Sequence, residues 1–277
     1  MIKAECTSGG IDYLIIENES ARAKIALQGA HIFSYQVKEQ RELLWVSDES
    51  SFKEGEAIRG GIPICWPWFG EHSSDKSLPK HGFARISKWE VESTKESDSS
   101  ITEITMSLTN SELMPYKFKL LAHFTIGKTL SLSLTTENLD DKAFTISQAL
   151  HTYFAVEKIE NVRVNGLDGL NFIDFTNESK HIQNGDVTIE NEVDRIYEDV
   201  KYPLFLYDNK RLITINSAGS KSSVVWNPWE DKCKQMSSMK EDDYRYFVCV
   251  ETTNTRQDEQ RVEPSSSYTI SATYSIG

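Results

Sequence analysis

Hydrophobic and polar positions alternate with period two along most of the chain, the repeat of a strand with one buried face. The pattern is strictest in Leu130-Ser-Leu-Ser-Leu-Thr and in Ile101-Thr-Glu-Ile-Thr-Met-Ser-Leu. Phe118 to Ile126 precedes the first of these and predicts a hairpin across Gly127-Lys128. Ala23 to Ala30 and His31 to Val37 predict adjacent strands around Gly29, and Leu43 to Val46 a short one. Further strands are expected at Ala143 to Leu150, Val162 to Val164, Val187 to Ile189, Leu204 to Tyr207, Leu212 to Ile215, Ser222 to Trp226, Tyr246 to Val250 and Tyr268 to Tyr274. Helical periodicity is scarce. Pro228 to Met239, with a proline near its start, is the best short helix. So many strands, with turn signals every ~8–12 residues, predict an all-β chain: a large antiparallel β-sandwich with few short helices. No internal repeat of fixed period appears, which argues against a propeller.

One stretch breaks the alternation. Arg59-Gly-Gly-Ile-Pro-Ile-Cys-Trp-Pro-Trp-Phe-Gly70, followed by Lys80-His-Gly-Phe-Ala-Arg85, suits no regular element. Its prolines remove backbone donors, and its glycines allow positive φ or close backbone approach. Three large aromatics are too much apolar surface for an ordinary solvated loop. An irregular segment rich in Trp and bracketed by cations is best explained as the wall of a ligand cleft, with the remaining strands as its scaffold.

Composition narrows the function classes. At 277 residues the chain can bury a sizeable core, and no linker or composition shift divides it, so residues 1–277 are expected to form one domain. The one candidate divider, Ser93 to Ser100, is polar and short and sits between strand-like runs. The formal charge of -12 and pI near 5.1 argue against a nucleic-acid footprint and against adhesion to anionic membranes. Any phosphate on a substrate would need a local cluster of cations working against that field. The first residues lack a signal-peptide core, and no apolar run is long enough to span a bilayer. Cys6, Cys65, Cys233 and Cys249 are scattered with no CxxC, as expected for free thiols in a reducing cytoplasm.

Alternation places candidate chemistry on faces. In Thr145 to Tyr153 one face carries Thr145, Ser147, Ala149, His151 and Tyr153, small residues leaving room beside an imidazole and a phenol. That reads as a cleft floor, although a lone strand histidine is more often structural. Glu251 closes the run Tyr246-Phe-Val-Cys-Val-Glu on the face of Phe247 and Cys249. It is either a solvated strand end or a buried carboxyl whose raised pKa suits proton transfer. Arg59, Lys80 and Arg85 flank the aromatic loop and could hold phosphate or carboxylate oxygens, or simply pair with nearby acids. Trp66, Trp68, Phe69, Trp226 and Trp229 could stack on a sugar ring or pack the core. Asp194 could accept hydroxyls or be an exposed charge. There is no GxGxxG, Walker loop, GxSxG or HExxH, and none of the six histidines has metal-ligand spacing. What remains is a binding protein or an enzyme without cofactor or metal.

Taken in order, Arg59 to Gly70, His81-Gly-Phe-Ala-Arg85, His151-Thr-Tyr-Phe154, Val193-Asp-Arg-Ile-Tyr197, Val225-Trp-Asn-Pro-Trp229 and Val248-Cys-Val-Glu251 resemble the hexose-6-phosphate mutarotase branch of the aldose 1-epimerase family. The resemblance runs over roughly residues 20–275 and implies that family's β-supersandwich. It implies His151 as general acid and Glu251 as general base. Arg59 and Arg85 match the basic pair near the sugar phosphate, and Lys80 stands where relatives often have Gln. His81 matches a pocket histidine facing a sugar hydroxyl or ring oxygen, and Asp194 a substrate-binding carboxylate. The implied activity is interconversion of hexose 6-phosphate anomers through an open-chain aldehyde, with the two catalytic groups on opposite sides of the C1–O5 edge. The implied partner is a small sugar phosphate, with no nucleic acid and no membrane, and a monomer is the expectation. Rival readings are an epimerase for unphosphorylated aldoses and a non-catalytic sugar-phosphate-binding module.

Overall fold

The computed structural model describes residues 1–277. Its regular structure is 23 strands with one α-helix and four short 3-10 turns, and every strand pairing is antiparallel. Two large sheets dominate. A nine-stranded sheet runs, in spatial order, through Val187–Thr188, Val162–Asn165, Leu204–Asp208, Arg211–Ala218, Ser267–Ile276, Leu130–Asn138, Phe118–Ile126, Ile101–Leu108 and Glu90–Asp98. An eight-stranded sheet runs through Ser179–Ile182, Asn171–Asp174, Val193–Tyr197, Ser222–Asn227, Phe247–Asn254, Gln148–Leu150 and Ile64–Cys65, with Tyr153–Ala155 also paired to Phe247–Asn254. A four-stranded meander, Ile2–Cys6, Asp12–Glu17, Ala21–Ala26 and His31–Val37, and the small pair Phe144–Ile146 with Gln260–Val262 complete the set.

The nine-stranded sheet follows directly from its sequence. In Leu130–Asn138 burial alternates at every residue, with Leu130, Leu132 and Leu134 fully buried and the serines between them part-exposed. Phe118–Ile126 does the same, and the two pair from Phe118↔Asn138 to Ile126↔Leu130 across the expected turn at Gly127-Lys128. Each buried leucine contributes about 1.5–3 kcal/mol relative to an exposed one. The apolar face meets the eight-stranded sheet in a core of 61 buried residues that also takes in Ile16, Ile25, Ile32 and Tyr35 of the meander. Side chains join the sheets: Phe154 packs edge-on to Tyr274 at 5.4 Å, and Thr152 Oγ1 lies 2.6 Å from the Tyr274 hydroxyl.

Several elements depart from the expectations. Ala143 to Leu150 is two strands, Phe144–Ile146 and Gln148–Leu150, lying in different sheets. The chain breaks at Ser147, whose backbone N–H and hydroxyl turn to the aromatic loop, at Pro67 O and Phe69 N. Leu43 to Val46 makes only isolated bridges. The polar stretch Ser93 to Ser100, not expected as a strand, lies mostly within Glu90–Asp98, an edge strand with all nine residues exposed. Having no buried face, it carries no alternation to detect. The helix is shorter than expected, Trp229–Lys234.

Candidate active site

Strand Phe247–Asn254 lies inside the eight-stranded sheet with all eight residues buried. Glu251 is therefore not a strand end; it sits mid-strand and is 1% exposed. Period two puts Cys249 on its face, and the register carries that face sideways: Cys249 pairs with Trp226 on one side and Tyr153 on the other, and Trp226 pairs with Asp194. One row across four strands thus reads Asp194, Trp226, Cys249, Tyr153. His151 enters from the two-residue gap between Gln148–Leu150 and Tyr153–Ala155, where its backbone N–H donates to Pro63 O in the aromatic loop.

The result is a buried pair. His151 Nε2 lies 3.3 Å from Glu251 Oε1, and neither carboxylate oxygen meets a hydrogen-bond partner in the protein. The two groups touch rather than facing each other across a ring-sized gap. The imidazole is held between aromatic neighbours. Tyr153 stacks on it at 4.8 Å with an interplanar angle of 8°, Trp226 stands edge-on at 6.1 Å and His81 edge-on at 5.8 Å.

Arg59 belongs to the same cluster. Its Nη1 donates to the Tyr153 hydroxyl at 3.0 Å and its Nε to Ser238 Oγ at 3.1 Å. The two glycines after it let the chain turn against the meander. Gly60 has φ of +112°, and its carbonyl lies 2.8 Å from His31 Nε2. His81 has a left-handed backbone, and its Nδ1 accepts the Gly70 N–H at 3.2 Å, closing the loop that carries Trp68 and Phe69. Arg85 donates to the Lys80 carbonyl at 2.6 Å, while its buried Nε has no partner. Lys80 itself is exposed at the rim. Asp194 is half-buried with Lys232 Nζ 3.9 Å away.

Electrostatics follow from this enclosure. Burial pushes the Glu251 carboxyl well above the usual carboxylate range, and the Asp194 charge pushes the same way. Burial pushes the His151 imidazolium well below its ordinary value, and the positive charges of Arg85, Arg59 and Lys80 add to that. His81 is lowered for the same reasons, burial first, then Arg85. Asp194 is raised by burial, with Lys232 and Lys80 opposing. Burial thus disfavours the charged form of both groups.

Of the residues singled out from sequence, His151, Glu251, Arg59, His81 and Trp226 converge on one spot, with Arg85, Lys80 and Asp194 close enough for their charges to act on it. Trp66 does not. It is fully buried, its Nε1 donates to Thr136 Oγ1 of the opposite sheet at 3.0 Å, and its ring packs on Phe118 and Phe83. The structure corrects its assignment to the ligand wall: it is a core residue, because a short strand at Ile64–Cys65 draws it into the sheet interior. Tyr153, expected beside His151 on the cleft floor, stacks on the imidazole. Ser238 and Lys232 were not expected; they lie near or in the short helix and carry no pattern.

An antiparallel two-sheet fold with a buried His–Glu pair beneath a cationic rim is consistent with a carbohydrate epimerase. The Aldose 1-epimerase family model matches residues 12–275, and the chain belongs to that family. It is 38% identical over 250 residues to a protein of Escherichia coli (strain K12) described as "Putative glucose-6-phosphate 1-epimerase", covering 87% of this chain and 83% of the relative. A Salmonella typhimurium protein of the same description is 36% identical over 265 residues, covering 93% and 88%. The crystal structure of a "putative mutarotase (YeaD)" from Salmonella typhimurium superposes with a TM-score of 0.93 at 33% identity, covering 100% of this chain and 93% of that one.

Proposed function

We propose that this enzyme interconverts the α and β anomers of a hexose 6-phosphate, with His151 and Glu251 as the proton-transfer pair. The observation that carries the reading is the buried contact at 3.3 Å with both carboxylate oxygens free of protein partners. The two oxygens of an anomeric carbon are geminal, so a donor and an acceptor this close can engage one each. Glu251 takes the proton of the anomeric hydroxyl while His151 delivers one to the ring oxygen. The ring opens to the aldehyde, the C1–C2 bond rotates, and the reverse transfers close the other anomer. Only protons move between enzyme and sugar.

Burial first, and then the positive charges of Arg85, Arg59 and Lys80, hold the imidazolium down, and a phosphate dianion on those cations would offset the second contribution. That offset favours the charged imidazolium, the form the acid role requires. Arg85 Nε, buried without a partner, suits a phosphate oxygen. Trp226 offers a face for the sugar ring, and Asp194 and His81 offer polar contacts to its hydroxyls.

The test is anomer exchange measured by NMR saturation transfer with glucose 6-phosphate and with glucose. The wild type is expected to accelerate exchange of the phosphorylated sugar, with Glu251→Gln slower by about 10²–10⁴-fold. Equal rates for both proteins would instead favour a binding module. Comparable acceleration of free glucose would favour an epimerase for unphosphorylated aldoses.

A further inference from the structure

Cys249 has no part in these proton transfers, yet it lies beside both groups that do. His151 Nε2, Cys249 Sγ and a Glu251 carboxylate oxygen all lie within 4.8 Å of one another, and all three residues are buried. We propose that His151, Cys249 and Glu251 form an inhibitory site for a thiophilic divalent cation, zinc above all. The donor set is one that zinc takes, a nitrogen, a sulfur and an oxygen, with the fourth position left open.

Geometry supports the set. With Zn–N and Zn–O bonds of about 2.0–2.2 Å at a tetrahedral angle, nitrogen and oxygen lie about 3.4 Å apart. The observed His151–Glu251 separation is 3.3 Å. Sulfur and nitrogen on the same ion lie about 3.6 Å apart, so a small rotation of the Cys249 or Glu251 side chain closes the triad. At the carboxylate that rotation breaks no hydrogen bond, because neither oxygen has a partner in the protein. A thiolate and a carboxylate together balance the dication. Arg59, Arg85 and Lys80 oppose the ion and Asp194 favours it. His81 and Tyr153, the other titratable groups packed on the pair, are neutral here, since burial lowers the first and raises the second.

The ion would occupy both proton-transfer groups, so zinc and sugar exclude each other. The inhibition rests on the reading above of His151 and Glu251; the binding does not. Two measurements keep them distinct. In the exchange assay, zinc chloride should inhibit the wild type reversibly, with recovery on adding a chelator. Cys249→Ala should need at least about tenfold more zinc for the same inhibition, while its metal-free exchange rate stays close to wild type. Cys249→Ser serves if the alanine variant fails to fold. Independently of activity, Co(II) titrated into the wild type should give the near-ultraviolet thiolate-to-cobalt charge-transfer band, absent from the Cys249 variants. A wild type insensitive to zinc, variants inhibited equally, or no sulfur band with cobalt would each overturn the proposal. If the wild type lacks exchange activity altogether, the epimerase reading fails and the cobalt titration still decides the metal site.

Discussion

At Glu251 a carboxyl group sits in the middle of a fully buried strand with no protein donor at either oxygen. Such a group favours its protonated form, and this makes folding stability depend on pH with a definite sign. A raised carboxyl pKa means that the folded state binds more protons than the unfolded one above the ordinary 4.5. Its contribution is full at acid pH and is lost as pH climbs through the folded-state value, at up to about 1.4 kcal/mol per pH unit. Glu251→Gln removes that loss. Chemical unfolding across pH should show the variant gaining on wild type as pH rises above 4.5, and a pH-independent difference would contradict the burial argument. His151 acts in the opposite sense. Its lowered folded-state pKa costs stability as pH falls below 6.5. The same pair sets the rate profile. One proton shared between them survives between the depressed histidine and the raised carboxyl, so exchange should follow a broad bell. The acid limb lies below 6.5 and the alkaline limb above 4.5.

Among the elements, the aromatic loop is held by contacts that leave no room for substitution. Gly82 has φ of +73°, and a Cβ there would overlap the Trp66 carbonyl. Gly82→Ala should destabilise the fold by about 1–3 kcal/mol and slow exchange by displacing the neighbouring His81; a thermal melt together with the exchange rate checks both. Trp66 gives the converse test. Trp66→Phe leaves Thr136 Oγ1 without its buried donor, a loss of about 1–3 kcal/mol in unfolding free energy. KM for the sugar phosphate should be unchanged, because Trp66 is in the core. What the sequence made legible at this scale was whatever alternation reports. Leu130–Asn138 and Phe118–Ile126, each with one face buried, could be read residue by residue. Glu90–Asp98, exposed throughout, and Phe247–Asn254, buried throughout, have no second face to contrast. That is why the first gave no strand signal and why the strand bearing Glu251 seemed to end at the carboxyl. The loop was recognisable by its prolines and glycines, but nothing in Trp66-Pro-Trp states which tryptophan turns inward.

Across the whole molecule, a formal charge of -12 surrounds a site whose nearest charges are mostly positive. On the proposed reading, that contrast sets the task of the rim: Arg59, Arg85 and Lys80 would hold a dianion against the net field. Arg85→Ala should therefore raise KM for glucose 6-phosphate far more than for glucose in steady-state exchange kinetics, and an equal loss with both would remove the phosphate assignment. No helix of the protein is long and apolar enough to cross a membrane. The residues that meet at the site come from positions 59 to 251 of the chain, joined by register rather than by local spacing, so their meeting was open to recognition by resemblance but not by periodicity. The central claim is that His151 and Glu251, touching at 3.3 Å, pass protons to and from the two oxygens of one anomeric carbon. Saturation-transfer NMR of glucose 6-phosphate at neutral pH tests it most directly. The account predicts rapid α/β exchange with wild type and a fall of about 10²–10⁴-fold with Glu251→Gln. Exchange by the folded variant at the wild-type rate would contradict it.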